Sequence, residues 1–317
     1  MKILITPTSL NPEKQPELFY KLNEFADELV MNDKGRPLNE EELIPLLKDC
    51  DGFIAGLDNI SESVINSCNR LRVISRYGAG YDRVDIEAAK RKGIVVTNTP
   101  GVNAEAVGEH AFALILSLAR RVPFLNNNTK SGQWVRSTGV ELSGKTIGIV
   151  GLGAIGKVVA RCSQSFNMKI IAYDPFINEK FCRENKIDAL PLEEVLSKAD
   201  VISLHLPLNN DTRHLINKET LKLMKDNAIL INTSRGGIID EEAAYEALVD
   251  KKLGGLGLDA FEEEPPKDSP LFTLDNVVVT PHTGAHTQEA TNKMGQAAVT
   301  NLIDVLSGRE CPFIVNK

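Results

Sequence analysis

Short apolar runs recur along the chain, each followed by a polar or glycine-bearing turn and then by a stretch with helical apolar spacing. In the first hundred residues the runs at 3–5, 52–55, 71–75 and 94–96 read as strands, with a further short strand at 29–30. Between them lie helices at 18–25, after Asn39, from Ser61 and at 85–90. Asn39 is a capping residue, and Glu40, Glu41 and Glu42 place acids in the first turn, where the helix dipole favours them. Strands alternating with helices predict a parallel sheet covered on both faces.

Thr99-Pro100-Gly101 breaks the pattern and reads as a hinge or linker. Residues 103–120 then predict one long helix. Its second half, from Ala111 to Ala119, is apolar nearly all round, so it is buried on several sides, either crossing between domains or lying at a subunit interface. Asn126-Asn127-Asn128 follows, and Trp134 is the single tryptophan. The strand–helix alternation resumes at Thr146. Strands are expected at 146–150, 169–173, 201–207, 228–232, 255–259 and 277–280, with helices at 192–196, at 220–224, from Asp240 to 248 and finally at 288–306.

One stretch carries more than a fold signal. Thr146-Ile147-Gly148-Ile149-Val150 runs into Gly151-Leu152-Gly153-Ala154-Ile155-Gly156, a helix follows, and the next strand ends at Tyr173-Asp174. Strand, glycine turn, helix, strand and acid in that order predict a dinucleotide site. Gly151 permits the tight turn, Gly153 admits a pyrophosphate, Gly156 brings the helix close to the strand, and the helix N-terminus offers N–H groups to phosphate. Asp174 accepts hydrogen bonds from a ribose diol and repels a 2′-phosphate, which favours NAD over NADP.

Composition narrows the class. The chain has 317 residues, 42% hydrophobic and 25% charged, with a net charge of −7. That length predicts two domains, and the acidic balance without a basic run predicts neither a nucleic-acid nor an anionic-membrane partner. Five cysteines, none in a CxxC pair, argue against a disulfide framework or a metal site and for free thiols in the cytoplasm. No run approaches the roughly 20 apolar residues of a membrane span, and the N-terminal run is too short for a signal peptide.

Polar residues at the predicted strand ends supply candidate chemistry. Arg235 suits a carboxylate anchor, because its planar guanidinium forms paired hydrogen bonds. His282 suits a proton donor and acceptor near neutral pH. Glu264 suits a partner that orients the imidazole and stabilises its charged form. Taken singly, Arg235 is equally a helix cap, Glu264 a solvated turn acid and His282 a hydrogen-bonded loop histidine. The Tyr77-Gly78-Ala79-Gly80 loop, after a strand end, offers backbone donors to an anion or is an ordinary turn.

These motifs together resemble the D-isomer-specific 2-hydroxyacid dehydrogenases, in particular members acting on 3-phosphoglycerate. The likeness runs through Val150 to Gly156, Tyr173-Asp174-Pro175, His205-Leu206-Pro207-Leu208 with Thr212, Asn232-Thr233-Ser234-Arg235-Gly236-Gly237, Asp259 to Pro265, and Pro281-His282-Thr283-Gly284-Ala285. It implies two doubly wound parallel-sheet α/β domains with a cleft between them. These are a flavodoxin-like substrate domain of residues 1–100 plus 286–317 and a Rossmann NAD-binding domain of residues 101–285. It implies Arg235, Glu264 and His282 as catalytic residues. Cofactor contacts fall to Gly151, Gly153, Ala154, Ile155, Gly156, Asp174, Pro175, His205, Pro207, Thr212, Thr233, Ser234, Arg235, Asp259, His282 and Gly284, with Asp259 on the nicotinamide carboxamide. Substrate contacts fall to Gly78, Ala79, Gly80, Arg235, His282 and Arg136, the last a phosphate contact from a partner subunit. A homodimer through the NAD-binding domains is implied, a role that the apolar helix around Leu114 fits.

Two positions depart from the pattern. Ala55-Gly56-Leu57-Asp58-Asn59 lacks the basic residue common in phosphoglycerate-specific members, and an acid at Asp58 disfavours a phosphate. His286 replaces a small hydroxyl residue. The expected reaction is hydride transfer between NAD(H) and a D-2-hydroxy acid, with 3-phosphoglycerate/phosphohydroxypyruvate in serine biosynthesis as the leading pair. Glyoxylate or hydroxypyruvate reduction is the alternative, and an NAD-sensing corepressor-like scaffold a third reading. The chain's end at Lys317 implies no regulatory domain and no feedback control of that kind.

Overall fold

The alternation of apolar runs and amphipathic stretches resolves into two all-parallel sheets. The computed structural model describes residues 1–317, and the chain divides into two units: Met1–Asn103 with His286–Lys317, and Ala104–Ala285.

In the first unit the chain runs β1 (Lys2–Ile5), α1 (Pro16–Phe25), β2 (Glu28–Met31), α2 (Glu40–Leu47), β3 (Gly52–Ala55), α3 (Glu62–Ser67), β4 (Val73–Arg76), α4 (Ile86–Arg91) and β5 (Val95–Thr97). The sheet order is β2-β1-β3-β4-β5, the flavodoxin-like order. Helices begin where side chains take up their orphan N–H groups. Asn39 and Glu42 form a reciprocal capping box, Ser61 accepts from the Val64 N–H, and Asp85 accepts from the Ala88 N–H. Strands β3 and β4 are buried throughout; β3 is apolar, whereas β4 ends on buried Ser75 and Arg76.

The second unit contains α5 (Ala104–Ala119), α6 (Val122–Lys130), β6 (Thr146–Val150), α7 (Ala154–Ser165), β7 (Lys169–Tyr173), α8 (Glu179–Glu184), β8 (Ile187–Ala189), α9 (Leu192–Lys198), β9 (Val201–Leu204), α10 (Lys218–Leu223), β10 (Ala228–Asn232), α11 (Glu241–Val249), β11 (Leu253–Leu258) and β12 (Val277–Val279). Its sheet order is β12-β11-β10-β9-β6-β7-β8. Strands β6 to β8 extend one way and β9 to β12 the other, so the order reverses between β6 and β9. That reversal opens a crevice at the carboxyl edge, the place where doubly wound sheets bind ligands. The chain then returns to the first unit as α12 (Gln288–Leu306), which packs on β3, β4 and β5. No helix is long and apolar enough to cross a membrane.

Helix α5 corrects one expectation. Most of its apolar residues are used inside its own unit: Ala111, Leu114 and Ile115 are buried, Leu116 and Leu118 are half-buried, and the helix packs on α7, β10 and β11. Strand β11 is glycine-rich because α5 lies directly on it; a Cβ on Gly257 would sit 3.2 Å from that of Leu114. At 3% exposure Leu114 presents no surface to another subunit. Four exposed apolar side chains lie just beyond α5, at Val122, Trp134, Val135 and Val140.

Three elements had no expectation. Helix α6 buries none of its residues, so its asparagine-rich sequence carries no apolar stripe; Pro in its first turn and the Arg121 guanidinium over the Phe124 ring mark its start. Helix α8 and the three-residue edge strand β8 are too short to show a period.

Candidate active site

The glycine turn after β6 abuts the end of β9, since a Cβ on Gly151 would lie 2.7 Å from the His205 carbonyl carbon. The backbone passes so close that a Cβ on Gly156 would lie 2.2 Å from the Gly151 carbonyl oxygen, so only glycine lets α7 start there. At Gly153 no atom lies within 4 Å of a built Cβ, so the turn is open on the side facing the start of α7. Gly153 and Ala154 are exposed, Ile155 is half-buried, and the helix has no side-chain cap. Its first N–H groups are therefore offered outward. Asp174 closes β7, and its carboxylate accepts from the Leu152 N–H at 2.7 Å and the Phe176 N–H at 2.8 Å. The acid is thus tied to the glycine turn itself, with lone pairs left for a diol. Pro175 is exposed beside it.

The ends of β9 and β10 form the other side. Burial pushes the His205 imidazole down to about 3, so the ring is neutral; Nε2 is 2.9 Å from Ser203 Oγ, while Nδ1 is buried without a protein partner. Thr233 Oγ1 is likewise buried and unpaired. Buried polar atoms are normally satisfied, so these two mark where a polar ligand group fits. Ser234 Oγ instead donates to the Leu204 carbonyl at 2.6 Å, stitching β10 to β9. Thr212 Oγ1 donates to the Pro207 carbonyl at 2.6 Å and accepts from the Asn209 N–H at 2.8 Å, so this hydroxyl shapes the exposed Pro207 loop.

Three loops converge on the candidate chemistry. Arg235 follows β10 and donates through Nη1 to the Ser234 carbonyl at 2.8 Å. A Cβ on the next residue, Gly236, would lie 1.8 Å from the carbonyl carbon of Phe261, so this glycine is what allows the Arg235 loop to abut the loop after β11. In that second loop Glu264 Oε1 accepts from the Phe261 N–H at 3.2 Å and pairs with His282 Nδ1 at 2.8 Å. The His282 side chain is 24% exposed and that of Glu264 13%. His282 itself has φ 52°, a left-handed conformation uncommon for a side-chain-bearing residue, and its N–H donates to the Thr280 carbonyl two residues back at 3.0 Å.

Asp259 holds that conformation. Its Oδ1 accepts from Thr280 Oγ1 at 2.6 Å and the Thr283 N–H at 2.8 Å, and its Oδ2 accepts from the Gly284 N–H at 2.8 Å. His110 Nε2, on α5, lies 2.8 Å from Thr280 Oγ1 and 3.5 Å from Asp259 Oδ1. Burial pushes the Asp259 carboxyl up, but donations from His110, Thr280, Thr283 and Gly284 outweigh it and hold the group below its ordinary range. His110 is a site residue that no motif marks. The available signal was a polar ring preceding the apolar half of a helix.

Within the first unit the Gly78-Ala79-Gly80 loop follows β4 and is half-buried, with φ 144° at Gly78. Asp58 requires a correction. Its side chain turns inward, 1% exposed, accepting from Thr6 Oγ1, from the Leu38 N–H at 2.8 Å and from the Gly56 N–H at 3.1 Å. It shapes the turn after β3, and those three donors partly offset its charge. Arg136 and His286 are exposed.

Comparison with known proteins identifies the family. Residues 112–284 match the D-isomer specific 2-hydroxyacid dehydrogenase, NAD binding domain, family. The chain is 43% identical over 88% of its length to D-3-phosphoglycerate dehydrogenase of Methanocaldococcus jannaschii, spanning about half (54%) of that protein. It is 41% identical to glyoxylate reductase of Pyrococcus furiosus, over 95% of this chain and 93% of that one. D-lactate dehydrogenase from Aquifex aeolicus, solved with NAD and lactic acid, superposes with a TM-score of 0.88 at 30% identity, covering 99% of each chain. The open glycine turn, Asp174 and the unpaired His205 and Thr233 atoms fit NAD as the cofactor. With a family match over half its length and near full-length relatives, the chain belongs to the D-isomer-specific 2-hydroxyacid dehydrogenases and uses NAD.

Proposed function

We propose that this protein interconverts 3-phosphoglycerate and phosphohydroxypyruvate, as a step of serine biosynthesis. The observation that carries the catalytic reading is the 2.8 Å pairing of His282 Nδ1 with Glu264 Oε1. A carboxylate on Nδ1 fixes the tautomer and leaves Nε2 to face the substrate with a proton. Bound NADH supplies the hydride to the carbonyl carbon of the keto acid. As the carbonyl oxygen gains charge it takes the proton from His282 Nε2, and the ring becomes neutral while Nδ1–H still donates to Glu264. In the oxidative direction Nε2 takes the hydroxyl proton back. Arg235 binds the substrate carboxylate with its guanidinium fork, and the Gly78–Gly80 loop offers backbone N–H groups of the kind that bind a carboxylate. The glycine turn and α7 hold the pyrophosphate, Asp174 the adenosine ribose, and Asp259 the carboxamide alongside its loop-holding bonds.

Three hydrogen-bond donors to Asp58 partly offset its charge, and exposed Arg136 is the proposed phosphate contact, from a partner subunit. The exposed Val122, Trp134, Val135 and Val140 are the apolar surface on which two copies would join through their NAD-binding domains. Five free cysteines fit a cytoplasmic enzyme. A second reading, reduction of glyoxylate or hydroxypyruvate, is favoured by the turn Gly56-Leu57-Asp58-Asn59, which carries no cation.

Initial rates of NADH oxidation with phosphohydroxypyruvate, hydroxypyruvate and glyoxylate decide between them. A kcat/KM at least tenfold higher for the phosphorylated acid supports the proposal, with Arg136→Ala erasing the preference. Equal or better use of the small acids selects the reductase reading.

A further inference from the structure

The loop read above as a carboxylate site is held from below by a residue with no assigned role. Arg76, the last residue of β4, is 3% exposed. Its Nε donates to the Gly80 carbonyl at 3.1 Å and its Nη1 to the Ala55 carbonyl, at the end of β3, at 2.6 Å. Two neighbours repeat the pattern. Asn98 Nδ2 donates to the Ala79 carbonyl at 2.7 Å, and the Thr99 N–H donates to the Gly78 carbonyl at 3.0 Å. The loop's start is pinned as well, since the Tyr77 N–H donates to the Ala55 carbonyl at 3.0 Å and the Tyr77 hydroxyl to the Thr291 carbonyl of α12 at 3.0 Å.

Three successive carbonyls are therefore bound to the body of the unit. A trans peptide is planar, so each carbonyl and the following N–H point in opposite directions. Tying down the oxygens of Gly78, Ala79 and Gly80 turns the N–H groups of Ala79, Gly80 and Tyr81 to the opposite side of the loop. Successive N–H groups on one side form an anion-binding concavity. The buried guanidinium on the carbonyl side makes charge-assisted hydrogen bonds to two carbonyls in different loops, which its planar fork is shaped to span.

We propose that Arg76, with Asn98, is a positioning residue that sets the polarity of the Gly78–Gly80 loop and so its affinity for a substrate carboxylate. The inference rests on the carboxylate reading given under Proposed function. It is tested with the full-length enzyme as Arg76→Met, Arg76→Lys and Asn98→Ala. Measured are the KM for hydroxypyruvate, the inhibition constant of oxamate, the NADH dissociation constant, and amide hydrogen exchange across residues 77–84. Arg76→Met is expected to raise the KM and the oxamate constant together by about tenfold, the weight of a lost charge-assisted hydrogen bond. NADH affinity should stay within about twofold, and exchange at 77–84 should accelerate. Arg76→Lys should fall between, because an ammonium on a flexible stem does not reproduce the fork. Asn98→Ala removes one tether without a charge and should show the same signature at smaller size, even if Arg76→Met does not fold. Unchanged KM and oxamate constants in folded variants, or an equal loss of NADH affinity, would overturn the proposal. Wild-type enzyme that binds neither hydroxypyruvate nor oxamate would instead overturn the carboxylate reading beneath it, while the exchange rates separately decide whether Arg76 orders the loop.

Discussion

The Gly78–Gly80 loop of the first unit and the Pro281–Gly284 loop of the second both leave the carboxyl end of a parallel strand, yet they treat their peptides in opposite ways. In the first, donors from Arg76, Asn98 and Thr99 capture three carbonyl oxygens, which turns the following N–H groups away from the protein body. In the second, the Asp259 carboxylate captures the N–H groups of Thr283 and Gly284, which forces the intervening chain into a tight left-handed turn and projects the His282 ring toward Glu264. One loop offers its backbone, and the other spends its backbone to aim a side chain. Whether the buried anchors donate or accept selects which half of the peptide each loop can present.

The largest expected break of this contrast is at the side chain the second loop exists to aim. His282→Ala should lower kcat by roughly 10²–10⁴-fold, the usual contribution of a general acid–base, with little change in NADH affinity. Steady-state kinetics with a fluorescence titration of NADH check this, and near-normal turnover would take His282 out of the mechanism. Next comes the anchor. Asp259→Asn keeps the shape but points an amide donor at N–H groups, so kcat should fall about 10²-fold through misplacement of His282, with a lower melting temperature. Wild-type kcat in the folded variant would mean that His282 is aimed by something else.

A smaller effect is expected at the crevice edge. Asp174→Ala should narrow the preference for NADH over NADPH about tenfold in kcat/KM, equivalent to roughly 1.4 kcal/mol. An unchanged ratio sinks the assignment of Asp174 to the ribose. The remaining effect falls on stability rather than turnover, at His205. The unfolded chain protonates this histidine near its ordinary 6.5, whereas the folded ring stays neutral down to about 3. Its contribution is therefore complete above 6.5 and is lost as pH falls from 6.5 towards 3, by up to about 1.4 kcal/mol per pH unit. Denaturant melts across that window should show a shallower pH slope for His205→Gln, and an identical slope would refute the buried-neutral state.

Helix α6 shows where the linear pattern runs out. It buries nothing, so no apolar stripe betrays it, and the chain offers only an asparagine run there. Helix α5 shows the converse: its apolar character was plain, but whether it faced a subunit or its own sheet depended on Gly255 and Gly257 far downstream. Arg235, Glu264 and His282 each had an ordinary structural reading, and only folding brings Gly236 against Phe261 and Glu264 against His282.

Local physics was enough for the parallel α/β class, most of the helix starts and the glycine turn with its acid, because capping, periodicity and glycine's backbone freedom act within a few residues. The direction in which a single polar side chain points is set by partners distant in sequence, so tertiary structure alone decided it. Asp58 turns inward because Thr6 and Leu38 are there to meet it, and Arg76 lies beneath its loop because Ala55 and Gly80 hold the carbonyls its fork spans.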